Sequence, residues 1–218
     1  VIRFASLGSG SKGNALLVEV GTTTILVDCG FSQQQITQRM ARLQRSPSDL
    51  AAIVVTHEHG DHIGCAAALS ARLKIPAYMT AGTRAATGRK TFGYFRRIMA
   101  EEAFSVRDLQ IEPFTVPHDA REPVQFVFTD GQYRLGLLTD LGHISTHVIH
   151  SLQGVDALLV ECNHDPQMLE NGPYPPALKA RVGGPYGHLA NAAATQLLNA
   201  IDTRRLQHVA GMHLSERN

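Results

Sequence analysis

Six consecutive residues, His57-Glu58-His59-Gly60-Asp61-His62, place three imidazoles and two carboxylates in one short stretch. An apolar run, Ala51 to Thr56, leads into them, and a helix-like run, Ile63 to Leu69, follows. A loop of this kind at the end of a buried strand can hold metal ions. His57 and His59 can point to one side and share one ion, while Asp61 and His62 point to the other and serve a second. Imidazole and carboxylate ligands suit zinc, manganese or iron, and no thiolate is needed. The leading reading is therefore a metal-dependent hydrolase. The overlapping His57-Glu58 is not a zincin motif, because HExxH requires His at position 61, which is Asp61.

A two-metal site needs further ligands from elsewhere in the chain. Three candidates recur directly after apolar strand-like runs: His118 after Phe114 to Pro117, Asp140 after Leu137 to Thr139, and His213 after Val209 to Met212. A lone His of this kind is ordinarily a surface or satisfied core group. The hexapeptide together with three more strand-end ligands is not. Three imidazoles plus a bridging carboxylate on one ion, and two imidazoles plus two carboxylates on the other, leave a shared position for water.

The elements that must position these groups are read from periodicity. Val1 to Leu7, Ala15 to Val20 and Thr24 to Val27 read as strands, the last two joined by a Gly21-Thr22 turn. Ser32 caps an expected helix to about Leu43, with Ile36, Met40 and Leu43 on one face. Ala51 to Thr56 is a strand, followed by the metal loop and a helix to about Leu73; Ala77 to Met79 is a short strand, and Thr80 caps the next helix. Further strands are expected at Ile111 to Val116, Val124 to Thr129, Arg134 to Thr139, Ala157 to Val160 and Leu206 to Met212. A helix is expected over His188 to Ile201, with Leu189, Ala193, Leu197 and Ile201 roughly on one face. Gly88 to Arg107 mixes Arg89, Lys90, Arg96 and Arg97 with Phe92, Tyr94 and Phe95, and reads equally as a solvated helix with buried aromatics or as a nucleic-acid contact. The order of elements suggests two sheets sandwiched by helices.

The bulk numbers fit this picture. The 218 residues suffice for one substantial core, and a single domain over 1–218 is the simplest count. Hydrophobic content of 44% and charged content of 18% are those of an ordinary folded soluble chain. No run of membrane-spanning length and no signal peptide is visible, so a cytoplasmic protein without a membrane partner is expected. Cys29, Cys65 and Cys162 lack CxxC spacing and cannot all pair, which fits a reducing compartment. A net charge of +1 neither demands nor forbids nucleic acid. The unusual figure is 11 His in a chain without Trp.

The chain resembles the metallo-β-lactamase-fold hydrolases, whose signature is HxHxDH, and more narrowly the exonuclease-like WalJ/YycJ group. The matching segments include Ser6 to Asn14, Leu26 to Gly30, Thr56 to His62, Pro117 to Ala120, Thr139 to Gly142, Glu161 to Asp165, Gly187 to Leu189 and His213 to Glu216. The resemblance implies an αββα four-layer sandwich. It also implies one metal on His57, His59 and His118, a second on Asp61, His62 and His213, and Asp140 bridging. Asp28 is then expected to orient a His of the metal loop rather than touch metal. Two departures stand out. The group usually reads GHLSN where this chain has Gly187-His188-Leu189-Ala190-Asn191, so a hydroxyl is missing near the site. The chain also stops five residues past His213, where members of the group tend to continue, so a C-terminal tail is expected to be missing.

The implied chemistry is in-line attack on phosphorus by a hydroxide bridging two divalent ions, zinc or manganese with iron as a third option. His188 is the expected proton donor to the leaving oxygen, in relay with Glu161; Asp61 completes the catalytic set, and His164 is a rival donor. Ser11 and Asn14 are candidate substrate contacts in the Gly8 to Asn14 loop. The expected activity is a 5′-to-3′ exonuclease on DNA rather than RNA. The alternative is a small-molecule hydrolase, such as a cyclic-phosphate phosphodiesterase, a lactonase or a thioesterase. A two-zinc β-lactamase usually carries Cys where Asp140 stands, and a redox di-iron protein carries Glu in place of His59. The RNA-degrading branch carries a large inserted domain for which 218 residues leave no room.

Overall fold

The computed structural model describes residues 1–88 and 90–218. Its described strands form two six-stranded sheets. The first holds β1 (Ile2–Gly8), β2 (Ala15–Val20), β3 (Thr23–Val27), β4 (Leu50–Val54), β5 (Pro76–Met79) and β6 (Tyr94–Arg97), side by side in chain order. The second holds β7 (Phe104–Val106), β8 (Leu109–Thr115), β9 (Val124–Thr129), β10 (Arg134–Leu138), β11 (Ala157–Glu161) and β12 (His208–Met212), again in chain order. In each sheet the chain enters through antiparallel hairpins, then switches to parallel pairing, from β3 to β6 and from β10 to β12. The crossovers carry helices α1 (Gln33–Ala41), α2 (Gly60–Ile63), α3 (Ala66–Leu73) and α4 (Ala81–Ala86) in the first half. The second half carries α5 (Thr146–Ser151), α6 (Pro166–Asn171), α7 (Pro176–Val182) and α8 (Asn191–Ala200).

Alternation along the strands sets the layers. Leu16, Val18, Ile25, Val27 and Val54 turn inward and meet Ile111, Phe126, Phe128, Leu137 and Leu159 of the other sheet. Their neighbours Leu17, Leu26 and Ile53 face outward and pack on Ile36, Met40 and Leu69 of α1 and α3. On the far side Val127, Leu158 and Val160 pack on Val148 and Leu197 of α5 and α8. Three apolar layers between four layers of elements give the αββα sandwich. Parallel strands put their carboxyl ends on one edge, where α/β proteins place their sites. Asp28, His57, Asp140, Glu161 and His213 all lie at or just past such ends.

Several local expectations hold. Ser32 forms a capping box with Gln35 at the start of α1, and the Thr80 hydroxyl caps α4. Others need correction. The helix expected through Leu73 is broken into α2 and α3 at Gly64. The basic and aromatic stretch is not a helix: Tyr94–Arg97 is the exposed edge strand β6, paired with β5, while Phe92 alone of its aromatics is buried. Arg89 of that stretch lies outside the described residues. The helix expected from His188 begins at Asn191, because Glu161 draws the Leu189 N–H to itself at 3.0 Å before the helix starts. The short helices α5, α6 and α7 went unread, since 6–7 residues are too few to show a period. None of the described helices is long and apolar enough to cross a membrane.

The missing hydroxyl of the GHLSN pattern now has a place. Ala190 is the N-cap of α8, with extended backbone at φ −69° and ψ 149° and no side-chain cap. Ala190→Ser is expected to raise stability by about 0.5–1 kcal/mol in urea unfolding; an unchanged or lower midpoint would refute the capping role.

Candidate metal centre

The metal loop is held by its neighbours before any ion is considered. Asn14 donates its backbone N–H to the Asp61 carbonyl at 2.7 Å, and Cys29 donates to the His62 carbonyl at 2.6 Å. Gly30 lies so close under the loop that a Cβ there would fall 1.7 Å from the Asp61 carbonyl oxygen. Only glycine fits at that position.

Asp28 is buried, at φ 59°, a left-handed conformation that Asp tolerates better than most residues. Its Oδ1 accepts the Thr56 N–H at 2.9 Å, and its Oδ2 accepts the Thr56 hydroxyl at 2.9 Å. The same Oδ2 stands 2.8 Å from His62 Nδ1, which fixes that ring and turns Nε2 inward. Thr56 Oγ1 also contacts His57 Nδ1 at 3.0 Å, again leaving Nε2 to face the cluster. The sequence marks Thr56 only as a strand end before the motif; its link between Asp28 and the imidazoles depends on the fold. Asp28→Asn is expected to lower metal affinity about 10- to 100-fold with the protein still folded; calorimetric metal titration at unchanged circular dichroism checks it, and full affinity would remove the orienting role.

The seven residues of the proposed ligand set converge. Ligand atoms of His57, His59 and His118 lie within 4.8 Å of one another, as do those of Asp61, His62 and His213, and those of His57, His62 and Asp140. His118 Nδ1 is held by the Gly187 carbonyl at 3.1 Å, so its Nε2 turns toward His59 Nδ1, 3.2 Å away. Asp140 (φ 54°) and His213 (φ 51°) share the left-handed backbone of Asp28, and such residues cluster at functional sites. The His213 N–H donates to Ser9 Oγ at 2.7 Å, and its carbonyl accepts from Asn163 Nδ2 at 2.9 Å, two supports that no spacing in the sequence reveals. Two buried polar atoms here, His57 Nε2 and His213 Nε2, have no hydrogen-bond partner, and Asp140 Oδ2 faces only His62 Nε2, at 2.9 Å. Buried orphans of this kind are rare and costly, and their convergence is what a set of metal donors requires.

The charges divide the cluster. Burial, reinforced by the neighbouring imidazoles, pushes His57 well below its ordinary pKa, and burial also lowers His118. Both are therefore neutral donors at pH 7. Burial pulls His213 down as well, but the Asp140 and Glu161 carboxylates outweigh it and raise His213 to about 9. His62 is likewise raised against burial, by Asp140 and Asp28.

Glu161 is fully buried and joins four groups. Its Oε1 stands 2.8 Å from His188 Nδ1 and 3.0 Å from His213 Nδ1. Its Oε2 accepts the Leu141 and Leu189 N–H groups at 2.9 and 3.0 Å. Glu161 does not line the cleft; His188 does, with its side chain 22% exposed. The cleft of about 460 Å³ is bordered by Ser11, Asp61, Asp140, Asn163, Arg181 and His188. Asn14 is buried instead, with its Nδ2 2.9 Å from His62 Nε2 and 3.3 Å from Asp61 Oδ2, so it braces the metal loop rather than meeting substrate. His164 is buried and lines a separate cavity with Pro166, Leu169, Lys179 and Ala190, not the cleft that His188 lines.

Comparison with known proteins agrees with this geometry. The model of the Beta-lactamase superfamily domain matches residues 23–209. The chain is 31% identical to "Exodeoxyribonuclease YycJ" of Bacillus anthracis, over 98% of this chain and 83% of that protein. It is 32% identical to "Exodeoxyribonuclease WalJ" of Streptococcus pneumoniae, over 99% of this chain and 82% of that one. Its fold matches the crystal structure of the metallo-beta-lactamase fold protein YhfI from Bacillus subtilis with a TM-score of 0.76 at 16% identity, over 100% of this chain and 88% of that one. A sandwich whose strand ends bring His and Asp donors together, matched over most of its length by one family, leaves one assignment: the chain belongs to the Beta-lactamase superfamily domain family and is a metal-dependent hydrolase.

Proposed function

We propose that the chain is a two-metal phosphodiesterase acting on nucleic acid, a 5′-to-3′ exonuclease that prefers DNA. The observation that carries this reading is the junction of two clusters. A set of orphaned metal donors lies beside an imidazole, His188, that a buried carboxylate holds at the cleft wall. The names of the 31–32% identical relatives support a DNA substrate.

His57, His59 and His118 would hold one ion, Asp61, His62 and His213 the other, and Asp140 would serve both. Bound divalent ions, zinc or manganese, would neutralise phosphoryl charge and make water a nucleophile near pH 7. The chain's own part is the proton. Glu161 accepts from His188 Nδ1, which leaves Nε2 to donate to the departing oxygen. Glu161 acts as a positioning residue throughout.

Purified protein loaded with manganese or zinc is offered end-labelled single- and double-stranded DNA, RNA and bis-p-nitrophenyl phosphate. Stepwise release of mononucleotides from DNA 5′ ends is expected; turnover of the small ester alone would overturn the nuclease. A small-molecule phosphodiesterase is the second reading, favoured by a cleft no larger than a drug-sized ligand needs.

Loading should also release protons. His62 and His213, both raised, His213 to about 9, must each lose a proton to become a donor. His57 and His118, already lowered, need not. Metal titration in buffers of different ionisation enthalpy is therefore expected to show proton release at pH 7 that shrinks as pH rises through 9. Equal release at every pH would refute the division of the cluster.

A further inference from the structure

The metal centre meets one phosphoryl group, yet a nucleic acid brings more. Arg181 is the only Lys or Arg among the described residues that line the cleft. It projects from α7 with its side chain 60% exposed. Its Nε donates to Asp119 Oδ2 at 2.6 Å. The other oxygen of Asp119 stands 3.6 Å from His59 Nε2 and 3.5 Å from His118 Nε2. Asp119 itself is fixed by its backbone N–H, which donates to the Tyr186 carbonyl at 3.0 Å. The guanidinium thus stands one carboxylate's width from the first imidazole group. It is tethered through Nε, and its two Nη groups make no hydrogen bond among the described residues. A guanidinium held this way presents a free two-pronged donor edge, the geometry that a phosphate accepts bidentately. Tyr174 and Leu178 line the same cleft beside it.

We propose that Arg181 binds the phosphate next to the scissile one, so that the enzyme selects nucleic-acid ends that carry a flanking phosphate. The proposal rests on the nuclease reading above, and Asp119 is its positioning partner.

The test compares the manganese-loaded wild type with Arg181→Ala and Arg181→Lys on the thymidine dinucleotides TpT, pTpT and TpTp, with bis-p-nitrophenyl phosphate alongside. The wild type is expected to prefer one phosphorylated dinucleotide over TpT. Arg181→Ala is expected to reduce that preference about 10- to 100-fold, chiefly through KM. The Lys variant, which keeps the charge but not the fork, should fall between. The loss on bis-p-nitrophenyl phosphate, which has no second phosphate, is expected to be smaller, with metal content unchanged. A wild type indifferent to the added phosphate, or an Ala variant that keeps the preference, would overturn the role of Arg181 alone. A wild type that cleaves only bis-p-nitrophenyl phosphate would overturn the nuclease reading and this inference with it.

Discussion

Asp61→Ala is expected to abolish turnover while the protein stays folded. The Asp61 carboxylate is 27% exposed, so its loss opens no sealed cavity in the core. The loop is held through the Asp61 backbone carbonyl, which the substitution keeps. What disappears is the carboxylate that stands 3.7 Å from His62 Nε2 and 3.8 Å from His213 Nε2. With it goes the acidic donor of the second ion group. Lewis-acid stabilisation is worth several kcal/mol, and each 1.36 kcal/mol is tenfold, so the fall is about 10³-fold or more. Elemental analysis should find about half the metal of the wild type, with the thermal transition still cooperative. Undiminished turnover at full metal content would remove the two-metal reading.

His188→Ala is expected to slow cleavage of a nucleotide ester about 10²–10⁴-fold, the usual worth of a general acid. On bis-p-nitrophenyl phosphate, whose leaving group needs no proton, the loss should be much smaller. Equal losses on both would assign His188 to binding instead. The pH profile carries a second sign. Burial lowers His188, but the Asp140 and Glu161 carboxylates beside it raise it to about 10. A proton donor works below its pKa, so the His188-dependent rate is lost as pH rises through that value. Once Asp140 is committed to cations, Glu161 alone supports the imidazolium, and the alkaline limb should move toward neutrality. Glu161→Gln removes that support too and should shift the limb further down; an unmoved limb would show that the pair does not set it.

The strands and the convergence of the candidate ligands were legible because apolar runs and a dense imidazole motif are both local signals. Ala15 to Val18 is an unbroken apolar run buried on both faces, so the strand was legible while the face that meets the other sheet was not. His118, Asp140 and His213 could be found because each follows an apolar run. What stayed hidden depends on contacts distant in sequence. Asn14 looked like a loop residue open to substrate, and only the approach of Asp61 across 47 positions buries it. His188 looked like the first turn of a helix, and only the Glu161 carboxylate holds it outside. Arg181 sits in a seven-residue helix with no period to read, and its partner Asp119 lies 62 positions away.

Each candidate ion group joins the two halves of the chain: His57 and His59 with His118, Asp61 and His62 with His213, with Asp140 of the second half serving both. The ions would therefore act as rivets across the seam between two sheets whose strands come from separate halves. Binding to the native state alone stabilises by RT ln(1 + [L]/Kd), about 4 kcal/mol per site at a thousandfold excess over Kd. In a chain without disulfides among its three cysteines, that cross-link is the one the cell can set through metal supply. Loss of metal would then cost the protein stability as well as chemistry.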